Sequence, residues 1–121
     1  MSRDFRKHAG QLAIAGFAGH TIPEDLKRLA REFDLGGVIY FARNVDSPEQ
    51  VAELSREAQD LTREIPLWIS VDQEGGRVAR LKTPFTVWPA MSTLGRSGDE
   101  GLADRFARAL ATELKAVGIT L

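Results

Sequence analysis

Short apolar runs alternate with longer amphipathic stretches along this 121-residue sequence, and that alternation restricts the fold more than any other feature. Residues 11–19 are apolar at nearly every position. That is how a strand buried on both faces reads, although periodicity alone also admits a short buried helix. Val38, Ile39, Tyr40 and Phe41 form a second run, β-branched and aromatic. Leu67, Trp68, Ile69, Ser70, Val71 and Asp72 form a third, and Ile119, Thr120 and Leu121 begin a fourth. Strands alternating with helices imply a parallel sheet with right-handed crossovers. The expected class is α/β.

Cap chemistry marks the intervening helices. Thr21-Ile22-Pro23-Glu24 reads as a capping box with proline in the first turn, after which Leu26, Leu29, Ala30 and Phe33 share a face. Gly36-Gly37 is expected to end that helix. Ser47 is the next N-cap, with Pro48 at the first position and Gln50 reaching back; Val51, Leu54, Ala58 and Leu61 follow as the buried stripe. Ser97-Gly98-Asp99-Glu100 is a third capping box, backed by Leu102, Phe106, Leu110, Leu114 and Val117, with Gly118 at the C′ position. Residues 73–96 show little helical periodicity, and a connection of that length in a compact domain is usually functional.

Composition narrows the function classes. Hydrophobic residues at 43% and charged residues at 27% fit one globular domain, residues 1–121, with enough chain for a real core. A formal net charge of -1 with interleaved signs gives no electrostatic reason to expect nucleic acid or an anionic membrane as partner. The absence of cysteine excludes disulfides and thiolate metal sites and fits a reducing compartment. The charged start is not followed by a signal-type apolar run, and residues 12–18 are too few to span a bilayer, so the cytoplasm is the expected location. There is no P-loop, dinucleotide fingerprint or metal-ligand cluster, so no cofactor is expected.

In parallel α/β folds chemistry gathers at the carboxyl ends of strands. The third run is the informative one. It ends on Asp72, and Gly75-Gly76 then permits a sharp turn or close approach to a ligand. Arg77 and Arg80 follow with fixed, fork-shaped donors. A carboxylate beside guanidinium groups suits neighbouring sugar hydroxyls, since acceptor and donor both face a polyol; an ion pair bracing the loop fits position equally well. Asp72 and Glu74 also have the look of a glycosidase carboxylate pair, but an Asp-x-Glu spacing alone is weak support. Arg43-Asn44, after the second run, fits either rim hydrogen bonding or an exposed loop with Asn44 at positive φ. His8 and His20 read as surface and turn residues, and Trp88 fits stacking on a sugar ring or, by preference, packing of a loop.

The string Val71-Asp72-Gln73-Glu74-Gly75-Gly76-Arg77-Val78, with Arg80-Leu81, resembles the N-terminal signature of glycoside hydrolase family 3 β-N-acetylhexosaminidases. Residues 36–44 look like the segment that precedes it in that family, and Trp88-Pro89-Ala90-Met91 and residues 118–121 are similar in order and spacing. The resemblance implies the N-terminal part of a (β/α)8 TIM-type barrel, about three βα units plus the start of a fourth strand. It implies a retaining hydrolase that removes terminal β-linked N-acetylglucosamine, in bacteria commonly for peptidoglycan recycling. It matches Asp72 and Arg80 to the residues that bind sugar hydroxyls. It matches nothing here to the aspartate nucleophile or the histidine acid/base, so this chain is expected to carry no catalytic residue and to be inactive alone. The runner-up substrates within the family are β-glucosides and β-xylosides. From other classes come a non-catalytic sugar-binding module and a self-associating half-barrel scaffold.

Overall fold

A computed structural model describes residues 5–62 and 65–121. In chain order the elements are α1 (Phe5–Gly10), β1 (Ile14–Gly16), α2 (Glu24–Phe33), β2 (Gly37–Tyr40), a 3-10 turn (Ala42–Asn44), α3 (Pro48–Gln59), β3 (Trp68–Val71), β4 (Gln73–Gly75), β5 (Val78–Ala79), α4 (Met91–Ser97) and α5 (Glu100–Ala116). β1, β2 and β3 form a parallel sheet in that order, in which Ala15 is level with Val38 and Val38 with Ile69. Residues 119–121 run along the far side of β3: Thr120 N and Leu121 N donate to Ile69 O, and Val71 N donates to Leu121 O. The expected strand–helix order and parallel sheet are present, so the fold is α/β.

Register explains the core. Side chains alternate across a strand, so Ala15, Val38, Tyr40, Ile69 and Val71 share one face. That face belongs to the cluster with Leu26 and Ala30 of α2 and Val51, Leu54 and Ala58 of α3. Burying each large aliphatic side chain contributes roughly 1.5–3 kcal/mol. The opposite face carries Ile14, Gly37 and Trp68 in one row and Gly16, Ile39 and Ser70 in the next. Ile14 is 46% exposed and Trp68 54%, so this face is open along its Ile14 and Trp68 row, whereas Ser70 in the next is 7% exposed. The first run is therefore not buried on both faces: β1 is an edge strand with helices against one side only.

The caps differ from expectation in detail. α2 has Pro23 at its N-cap with no side-chain bond, so Thr21 builds no box, and the helix stops at Asp34 in the left-handed region rather than at Gly36-Gly37, of which Gly37 opens β2. Leu26 and Ala30 are buried, whereas Leu29 is exposed. Ser47 caps α3 by accepting from Gln50 N, but the Gln50 side chain accepts from Asp46 N, not from Ser47 N. α5 starts at Glu100 behind Asp99, whose carboxylate accepts from Leu102 N, because a cap must stand immediately before the first helical residue. Residues 73–96 are less irregular than expected: β4 and β5 pair as a hairpin, and α4 forms without an amphipathic stripe to announce it. Gly118 follows α5 at φ 78°, as its C′ role requires.

Candidate functional site

The strand alternation carries past the carboxyl ends of β2 and β3, so Phe41 and Asp72 continue the open face that holds Ile39 and Ser70. Asp72 stands between β3 and β4, and the β4–β5 hairpin folds back so that Arg80, just after β5, returns to it. Arg80 Nη2 donates to Asp72 Oδ2 at 3.4 Å, with side-chain exposures of 28% and 46%. The pair is half open, and its outward oxygens and N–H groups form a mixed acceptor and donor edge at the mouth of the sheet.

Phe41 supports this edge. The Arg43 guanidinium lies 4.6 Å from its ring centroid and that of Arg80 lies 5.9 Å from it, one aromatic face system shared by two cations. Arg43 Nε also donates to Phe17 O, tying the end of β1 to the end of β2. Arg80 lines a small cavity of about 170 Å³ with Asp46, Lys82 and Phe85.

Asn44 is neither a rim residue nor an exposed loop residue at positive φ. It is wholly buried and has an ordinary backbone. Its Oδ1 accepts from Phe41 N at 2.9 Å, and its Nδ2 donates to Gly19 O at 2.8 Å and Phe17 O at 3.2 Å. One amide therefore locks together the loops that leave β1 and β2. Gln73, which sequence reasoning passed over, is the other buried amide at the site and holds the segment carrying Arg80.

Other candidates separate from the pair. Arg77 is exposed on the turn between β4 and β5, and Glu74 is exposed on β4. Gly75 and Gly76, at φ 83° and 59°, approach their own chain rather than leaving room for a ligand: a Cβ on Gly75 would collide with Pro89 O, and Gly76 N donates to Trp88 O. Trp88 packs that loop onto α5, edge to face with Phe106 at 4.9 Å. His8 and His20 are exposed, and the His20 carbonyl accepts from Gln50 Nε2. Among the described residues no cluster of His, Asp and Glu could hold a metal ion, and no helix is long and apolar enough to cross a membrane.

Ionisation behind the site is set by burial at Tyr40 and by carboxylate partners at Lys27. Tyr40 lies in the core against Phe17 and shares a hydrogen bond with Ser55; burial pushes its phenol up to about 12. Lys27 is raised because its ammonium is hydrogen-bonded to Glu24 and Glu57. Glu57 also accepts from Ile22 N, so α3 anchors the loop after β1 as well as α2.

The half-open carboxylate–guanidinium pair stands at the carboxyl edge of a parallel α/β sheet. The chain belongs to glycosyl hydrolase family 3: residues 5–121 match that family's N terminal domain. A beta-hexosaminidase from Nitrosomonas eutropha is 46% identical over 109 residues, covering 84% of this chain and 31% of the relative. One from Neisseria meningitidis serogroup C is 43% identical over 117 residues, covering 91% and 32%. A family 3 β-N-acetylglucosaminidase structure from Paenibacillus sp. FPU-7 matches with a TM-score of 0.90 at 43% identity, over 98% of this chain and 23% of that one. NagZ from Neisseria gonorrhoeae, solved in complex with N-trifluoroacetyl-D-glucosamine, matches with a TM-score of 0.81 at 39% identity, over 88% and 33%. The chain thus spans about a third of the length of the curated relatives it matches.

Proposed function

We propose that this chain forms the sugar-gripping portion of a retaining β-N-acetylglucosaminidase built on a (β/α)8 barrel, acting on terminal β-linked N-acetylglucosamine in cytoplasmic peptidoglycan turnover. The observation that carries the reading is the Asp72–Arg80 pair, held half exposed at the strand ends beside Phe41. In such a site Asp72 accepts from two sugar hydroxyls while Arg80 donates to their oxygens, fixing the ring for attack at its anomeric carbon. A retaining mechanism also needs a nucleophile and an acid/base on opposite sides of the scissile bond, about 5–5.5 Å apart when both are carboxyl groups. Neither Asp72, paired to Arg80, nor Glu74, exposed on the hairpin, is proposed for those roles. The open sheet face with Ile14 and Trp68 fits the interior of a barrel whose other strands close over it.

The test is a chromogenic N-acetylglucosaminide assay on the 121-residue chain, alongside sugar binding by calorimetry. Binding without turnover, lost on Asp72→Ala and weakened on Arg80→Ala, is the expected result. Turnover that Asp72→Ala abolishes would contradict the assignment of Asp72 to binding. A second reading, a self-associating half-barrel, draws on the same exposed Ile14 and Trp68; sedimentation showing a dimer that Trp68→Lys dissociates would favour it.

A further inference from the structure

We propose that Gln73 is the positioning residue for Arg80, acting through backbone it grips with its side chain; the proposal deepens the sugar-site reading and rests on it. The visible pair holds its own geometry weakly. At 3.4 Å, with 28% and 46% of the side chains exposed, the Asp72–Arg80 contact is a solvated ion pair, a class that fixes geometry poorly. The Phe41 ring, 5.9 Å from the Arg80 guanidinium, adds an orienting but soft contact. Something firmer has to place Arg80.

The β4–β5 ladder does not reach far enough to do it. Its pairing aligns Gln73 with Ala79 and carries an irregularity between Gln73 and Gly75, and β5 ends at Ala79, one residue short of Arg80. From there the Gln73 side chain takes over the role of a strand neighbour. Its Oε1 accepts from Arg80 N at 2.8 Å and Leu81 N at 3.0 Å, and its Nε2 donates to Leu81 O at 2.9 Å. Gln73 is 8% exposed and Leu81 2%, so these bonds are shielded from water. Gln73 also adjoins Asp72, and neighbouring residues in extended chain point to opposite sides. One dipeptide thus offers its carboxylate to the mouth and its amide to the hairpin. The distance from Asp72 to Arg80 is set by a single side chain.

Two substitutions separate the roles of that amide. Gln73→Glu keeps an oxygen that accepts from Arg80 N and Leu81 N but, when ionised, turns its second oxygen against Leu81 O, so it retains only part of the grip. Gln73→Met fills similar volume and makes none of the three bonds. The experiment follows the Arg80 Nε–H signal by nuclear magnetic resonance and measures N-acetylglucosamine affinity on the 121-residue chain. The methionine variant should broaden or shift the Arg80 signal and weaken sugar binding by about tenfold, whereas the glutamate variant should show a smaller effect of the same kind. In an Arg80→Ala background, Gln73→Met should weaken binding no further, because both act through one guanidinium. Additive losses, or an Arg80 signal untouched by the methionine variant, would overturn the proposal. If the methionine variant does not fold, a folded glutamate variant with a displaced Arg80 signal supports it, and an undisplaced one overturns it. A parent chain that binds no sugar would sink the functional reading instead, leaving the Arg80 signal to decide the positioning role.

Discussion

Replacing Asn44 should cost the fold more than its size suggests, because its amide is the joint between two site loops. In Asn44→Ala the Phe41 N–H loses its acceptor, and a stranded buried donor costs about 1–3 kcal/mol. Phe17 O keeps Arg43 Nε, and Gly19 is exposed, so its carbonyl can turn to water; those two losses are small. The space vacated by the amide adds about 1 kcal/mol. The sum is about 2–4 kcal/mol, read as a lower urea midpoint at unchanged slope by circular dichroism. Asn44→Asp gives a sharper result. Its carboxylate still accepts from Phe41 N but faces two carbonyl oxygens with no proton to give, which raises its pKa above the usual value of about 3.9. A raised folded pKa means that protonation favours the folded state, so the variant's deficit against the parent is full at neutral pH and shrinks as pH falls through that folded pKa. Asn44→Ala within 0.5 kcal/mol of the parent (roughly the scatter of neutral surface changes), or Asn44→Asp as stable as the parent at pH 7, would refute the reasoning.

Tyr40 is the chain's single tyrosine, so phenolate absorbance reports it alone. It should titrate near 12 when folded and near 10 in urea; the stability this difference supplies is complete below pH 10 and disappears as pH rises towards 12, and Tyr40→Phe should lack that alkaline component. Gly75→Ala should lower the melting temperature much more than Gly98→Ala. Both have positive φ, but only at Gly75 would the new methyl strike backbone, at Pro89 O, whereas Gly98 faces open space and incurs only the strain of about 1–2 kcal/mol for a left-handed residue.

The sequence and the structure agree where a residue's neighbours lie close along the chain. Apolar runs and cap residues located three parallel strands and the helices α2, α3 and α5, and the run that ends at Asp72 placed a carboxylate at the sheet rim. Position offered both Arg77 and Arg80, and only the family resemblance singled out Arg80, since the seven residues between it and Asp72 could have carried it anywhere. The exposure of β1 was not legible: an apolar segment states that it avoids water, not which neighbours cover it. Gln73 was missed, and Asn44 was misread as a rim or exposed-loop residue, for the opposite reason. A polar amide in a loop reads as solvated, and only the fold shows that backbone groups of Phe17, Phe41, Arg80 and Leu81 converge on these two. α4 was hidden because its residues line an apolar groove with Trp88 and Phe106 instead of burying a helical stripe.

The most direct measurement is a resonance-resolved titration of the chain with N-acetylglucosamine. The account predicts shifts confined to Phe41, Asp72 and Arg80 and their neighbours at the carboxyl ends of β2 and β3, absent in Asp72→Ala. Shifts centred on Trp88, Met91 and Phe106, or a response that survives Asp72→Ala, would contradict it.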